Sequence, residues 1–117
     1  MGIGPFFQMD LSGLTGKTMY GKPIDFETKI AAVKLGEVGL ELIQPVKDAP
    51  LFEEFLENVG EGINHIAFVV DDLEKETAKL VDKGVKVILT TRLTSGGGGV
   101  YLDTREVGGV IIELVQW

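Results

Sequence analysis

The chain has 117 residues, 44% of them hydrophobic, a formal charge of −7 and no cysteine. That length holds one compact domain, and without cysteine there are no disulfides, thiolate metal sites or thiol nucleophile, which leaves oxygen and imidazole as metal-binding chemistry. The acidic balance, with no Lys/Arg stripe, argues against nucleic acid or an anionic membrane surface as partner.

No apolar run approaches the roughly 20 residues of a membrane span and the start is not signal-like, so a cytoplasmic location is expected. In chain order, strands are predicted near 4–9, 18–20, 27–35 and 38–44. Residues 10–22, punctuated by Gly13, Gly16 and Gly21, read as a long loop or irregular hairpin. A short helix over 50–58 follows, with Leu51, Phe52, Phe55, Leu56 and Val59 as its apolar stripe and Gly60 and Gly62 ending it. A strand over 63–70 then runs into Asp71-Asp-Leu-Glu74, a capping-box pattern with Asp71 as the cap. The helix it opens is expected over 72–83, with Leu73, Leu80 and Val81 on one face and Gly84 as the left-handed stop. Three strands close the chain, near 85–90, 99–103 and 109–116. The four glycines at 96–99 read as a mobile hairpin tip before a lid or a phosphate-cradling nest.

An internal echo organises these elements: Val38-Gly-Leu-Glu-Leu-Ile-Gln-Pro45 is answered by Val110-Ile-Ile-Glu-Leu-Val-Gln-Trp117. Two related modules follow from it. The second has the order β-α-β-β-β, whereas the first shows strands only, without an opening strand and helix. Within a single domain over 1–117, the first module spans 1–47 and is incomplete, a linker helix occupies 48–60, and the second module spans 61–117.

His65, the only histidine, sits mid-strand on the face of Ile63, Ala67 and Val69. By itself it reads as a hydrogen-bonded core residue before it reads as a ligand. Glu41 and Glu113 each stand in the middle of an apolar strand, where an ionised carboxylate is costly unless a cation, a strong donor or water meets it. Convergence of all three on one divalent metal explains them together; two solvated faces, or cross-strand lysine pairs, explain the glutamates equally well.

The segment Gly60-Glu-Gly-Ile-Asn-His-Ile-Ala-Phe-Val-Val-Asp-Asp-Leu73, with Lys83-Gly-Val-Lys-Val87 after its helix, resembles the second module of the vicinal-oxygen-chelate, or glyoxalase, superfamily. Gly108-Gly-Val-Ile-Ile-Glu-Leu-Val-Gln116 resembles the last strand of that module, and Leu40-Glu-Leu-Ile-Gln-Pro45 the corresponding strand of the first. The likeness is greatest to methylmalonyl-CoA epimerase and its relatives. It implies an α+β fold of paired β-α-β-β-β modules curled around a metal cleft, the first truncated to its strands here. It also implies Glu41, His65 and Glu113 as three of four metal ligands, the fourth being a histidine on the absent opening strand. Met1 is accordingly expected to be an internal methionine or a trimmed start, and a homodimer is expected to cover the exposed sheet edge.

The resemblance further implies a metal-dependent isomerase, epimerase or lyase, of the methylmalonyl-CoA epimerase or lactoylglutathione lyase kind. Such an enzyme abstracts a proton next to the carbonyl or thioester of a small-molecule substrate. Glu113 is the candidate for both ligand and base, and zinc, nickel, cobalt, manganese or iron all suit the ligand types. Lys29 stands where the epimerases carry a catalytic glutamate, and reads as a solvated strand residue before a contact to an anionic substrate group. Tyr101 and Asp103 share a face that could line the cleft, and Trp117 is expected at the rim or an interface. Two other readings are an extradiol dioxygenase, which Glu41 as a further ligand disfavours, and a non-catalytic small-molecule-binding protein of the antibiotic-resistance type.

Overall fold

The computed structural model describes residues 2–117, so the expectation about Met1 lies outside the described residues. The elements in chain order are β1 (Phe7–Gln8), β2 (Leu14–Met19), β3 (Lys22–Pro23), β4 (Glu27–Leu35), β5 (Val38–Lys47), α1 (Pro50–Asn58), β6 (His65–Val69), α2 (Leu73–Asp82), β7 (Val87–Leu93), β8 (Gly98–Leu102), α3 (Arg105–Gly108) and β9 (Ile111–Gln116). They form the mixed α+β architecture expected, as two compact units. One holds the residues up to Leu11 with Asp25–Glu61, the other Ser12–Ile24 with Gly62–Trp117.

In the first unit the sheet order is β1-β4-β5. A two-residue turn, Gly36-Glu37, joins β4 to β5 with Leu35 opposite Val38, and Gly36 takes its positive φ of 64°. That register puts Lys29 opposite Gln44 and Ala32 opposite Glu41. Of the expected 4–9 strand, Phe7 and Gln8 pair with β4, opposite Ala32 and Ala31, and the Met9 amide donates to the Ile30 carbonyl at 2.8 Å. Helix α1 begins with Pro50 in its first turn, where a missing N–H costs nothing. In place of a side-chain cap, Glu53 Oε1 accepts from the Ala49 amide at 3.3 Å. Phe26, Ala32, Val33, Ala49, Leu51 and Phe52 are the buried apolar residues of this unit.

The second unit is a six-stranded sheet in the order β3-β2-β7-β8-β9-β6, parallel between β9 and β6 and antiparallel elsewhere. Of the two forms expected for residues 10–22, the irregular hairpin is the one present. Tyr20 and Gly21, both at positive φ (49° and 77°), make a tight two-residue turn between β2 and β3, and β2 pairs along β7. Helix α2 lies against β8 and β9, where Leu73, Val100, Leu102 and Leu114 form a buried cluster with Leu80, Val85, Val87 and Ile112 packed on it. Its cap is Asp72 rather than Asp71: the Asp72 side chain accepts from the Lys75 amide at 3.1 Å. The Leu73 amide donates instead to Gln116 Oε1 at the end of β9, at 2.8 Å, so a second orphan donor of the first turn is satisfied from the sheet.

The glycine run differs from its expectation. Gly98 and Gly99 are buried residues of β8, and only the positions before them turn. A Cβ at Gly97 would lie 2.2 Å from the Gln116 carbonyl oxygen, and one at Gly98 would lie 2.2 Å from that of Thr91. Close backbone approach, and not mobility, calls for glycine there.

Candidate functional site

The parallel register of β6 and β9 sets His65 beside Ile111 and Ala67 beside Glu113, so all four share one face of the sheet. On that face the His65 and Glu113 side chains meet: Nε2 lies 3.2 Å from Oε2, with 8% and 13% of the two side chains exposed. Antiparallel pairing puts Tyr101 next to Glu113, and its ring meets the His65 ring edge to face with centroids 4.9 Å apart. Position 99 is open for the carboxylate: a Cβ there would stand 2.6 Å from Glu113 Oε1. Behind the imidazole, Nδ1 lies 3.0 Å from Asn64 Oδ1.

Two of the three expected ligands are thus side by side. Glu41 lies on β5 of the first unit, opposite Ala32, and among the described residues no group of three or more His, Asp or Glu side chains is gathered in a metal-holding array. Alternation along β4 and β5 puts Lys29 on the sheet face opposite to that of Glu41. There Lys29 lines an open cleft with Gln8, Gln44, Ala31 and Leu42. Tyr101 is buried against the His65 ring, whereas Asp103, expected on its face, is engaged elsewhere. Asp103 takes a two-pronged contact from Arg105 at 2.8 and 2.7 Å at the start of α3. The Arg105 guanidinium holds its carboxyl below the usual carboxylate range, outweighing partial burial. Trp117 is 71% exposed.

Asn64 and Gly99 are the contributors that strand periodicity does not single out. Asn64 precedes β6, and Gly99 stood at the junction of the expected tip and the expected strand over 99–103. The signal for Gly99 lay in register: β8 one strand away from a buried glutamate leaves room for its carboxylate only where a side chain is missing.

Comparison with known proteins gives a consistent result. Residues 4–102 match the model of the family described as Glyoxalase/Bleomycin resistance protein/Dioxygenase superfamily. The chain is 33% identical to the Bacillus subtilis protein YqjC over 77% of this chain and 66% of that protein. It is 33% identical to the mitochondrial methylmalonyl-CoA epimerase of Dictyostelium discoideum over 72% of this chain and 52% of the relative. Among solved structures, a methylmalonyl-CoA epimerase of Streptomyces coelicolor in complex with 2-nitronate-propionyl-CoA superposes with a TM-score of 0.65 at 27% identity, over 81% of this chain and 76% of the other. The chain spans about half to two thirds of the length of these curated relatives.

Proposed function

The chain belongs to the glyoxalase, bleomycin resistance protein and dioxygenase superfamily, and on that footing we propose that it is an epimerase- or isomerase-type enzyme removing a proton next to the carbonyl of a small thioester or ketone. The observation that carries this reading is the buried contact between His65 and Glu113. The likeness to methylmalonyl-CoA epimerases supports an acyl-CoA thioester as the substrate class.

The pair fits a divalent metal. An imidazole nitrogen and a carboxylate oxygen are both donors that a divalent ion takes, and here they stand 3.2 Å apart. His65 and Glu113 would hold the ion, and Glu41 is proposed as a further ligand from its equivalence to Glu113 in the internal repeat. When bound, such an ion would supply positive charge for the oxygens of a substrate enolate. Glu113 is the proposed base. Its Oε2 is turned to His65, while Oε1 lies over Gly99, so one oxygen remains to take a proton. Only 8% and 13% of the two side chains are exposed, and low exposure to water strengthens the field a reacting group meets.

A homodimer is included in the proposal. Val38 and Leu42 share one face of β5 and are 65% and 45% exposed, and among the described residues β5 is paired on one edge only.

A second reading is a non-catalytic protein of the same superfamily that binds a small molecule without metal, since the family that the chain matches also includes bleomycin resistance proteins. One experiment separates the two. Native purification with metal analysis is expected to find a divalent ion that His65→Ala and Glu113→Gln lose and Glu41→Gln retains more weakly. Deuterium exchange next to the carbonyl of acyl-CoA substrates is expected to fall on the order of 100- to 10,000-fold in Glu113→Gln. A metal-free protein that binds such a thioester tightly and exchanges nothing establishes the second reading.

A further inference from the structure

We propose that Thr91 is a substrate-contacting residue, its hydroxyl donating to the carbonyl oxygen next to the carbon that Glu113 deprotonates. The inference rests on the epimerase- or isomerase-type reading of the site for its chemistry, while the contact itself can be tested by binding alone.

Thr91 belongs to β7 and stands opposite Gly99 of β8, as Leu89 stands opposite Tyr101 and Tyr101 opposite Glu113. Side chains alternate along each strand, so Thr91, Gly99, Tyr101 and Glu113 share one face of the second unit's sheet. On that face Gly99 presents no side chain. A Cβ there would lie 3.3 Å from Thr91 Oγ1 and 2.6 Å from Glu113 Oε1. The hydroxyl therefore borders the same small space above a bare glycine as the carboxylate oxygen that is not turned to His65.

A second observation shows that packing does not explain the hydroxyl. Thr91 is 8% exposed, at a strand position that valine fills with the same shape and no polar atom. Its neighbour Thr90, on the other face, has its hydroxyl against that of Thr18. The Thr91 hydroxyl makes no hydrogen bond among the described residues. A buried donor without an acceptor is destabilising, and an acceptor that arrives with a ligand accounts for its presence.

The chemistry of that acceptor follows from the carboxylate beside it. A base that removes a proton next to a carbonyl must reach the carbon bearing it, and the negative charge then develops on the adjoining carbonyl oxygen. With that carbon at Glu113 Oε1, the oxygen is within reach of a donor standing next to the carboxylate, and Thr91 Oγ1 is such a donor. Held in place by its strand before substrate arrives, the hydroxyl stabilises the charged form more than the neutral carbonyl, so its effect belongs in kcat.

Thr91→Val removes the hydroxyl and keeps the shape, whereas Thr91→Ser keeps the hydroxyl. The probes are acetyl-, propionyl- and butyryl-CoA, with natively purified protein, read by deuterium exchange next to the carbonyl and by calorimetric binding. Thr91→Val is expected to hold or raise the thermal midpoint and to lower kcat for exchange on the order of 100-fold. Its KM is expected to change by less than about fivefold, and Thr91→Ser to recover most of the rate. Exchange at the wild-type rate in Thr91→Val overturns the proposal, and so does a loss that follows a fall in the thermal midpoint. If the wild type binds a thioester without exchanging it, the enzymatic reading falls. The contact then stands where Thr91→Val weakens binding about fivefold or more and Thr91→Ser does not, and is overturned where both bind as the wild type does. A wild type that neither binds nor exchanges any of the three overturns both.

Discussion

A methyl group at position 99 would meet the Glu113 carboxylate at 2.6 Å, well inside contact distance, so the smallest substitution in the second unit's sheet tests the site directly. Gly99→Ala is expected to turn the carboxylate away from His65. Metal affinity should fall on the order of 10- to 100-fold and stability by about 1–3 kcal/mol, measured by zinc calorimetry and urea unfolding. A second residue-scale test concerns Asp103. Arg105 lowers its pKa, so the ion pair contributes fully above the ordinary carboxylate value and is lost as pH falls through the lowered one. The stability difference between Asp103→Asn and wild type, expected to be under about 1 kcal/mol for so exposed a pair, should close in the acid range. At this scale the sequence singled out His65 and Glu113 as ionisable groups centred in apolar strands, but their alternation left solvated faces equally open, and the contact between them rests on the pairing of β6 with β9. Asn64 was not singled out, since it precedes β6 and strand periodicity says nothing of its contact with the His65 ring.

At the scale of elements, periodicity located both longer helices to within a residue at each end, while caps and short strands escaped it. Two consecutive aspartates precede α2 and either can serve as its cap; Asp72 does, accepting from the Lys75 amide while Gln116 accepts from that of Leu73. Asp72→Ala is expected to cost about 1 kcal/mol, seen as a lower thermal midpoint. Removing the packing under the helix should cost more: Leu114 is 6% exposed in the α2 cluster, and Leu114→Ala is expected to lose about 2–5 kcal/mol. Helix α3 went unforeseen, because its four residues are too few for an apolar stripe. The face of Lys29 was, by contrast, computable. Once Gly36-Glu37 is read as a two-residue turn, counting back along both strands sets Lys29 and Glu41 on opposite faces.

For the whole molecule, the internal echo gave the module plan, and the structure follows it in the second unit. What the echo could not give was the partner of the hairpin at 14–23. Those residues precede β4 and β5 in sequence, yet they extend the sheet of the other unit through β7, a long-range pairing that no local pattern encodes. The proposed dimer belongs to this scale. Sedimentation should find two copies per particle, and Leu42→Glu on the exposed row of β5 is expected to shift that equilibrium toward one, with the His65–Glu113 contact in the second unit unaffected.

The parallel alignment of β6 with β9 also has a kinetic side. Parallel neighbours need a crossover, and here α2, β7, β8 and α3 all lie between the two strands in the chain. Closing so long a connection is slow compared with forming hairpins. The imidazole and the carboxylate should therefore be among the last groups in their unit to find each other during refolding. A probe of the histidine ring would report the completion of folding, lagging behind the backbone signal of the antiparallel strands.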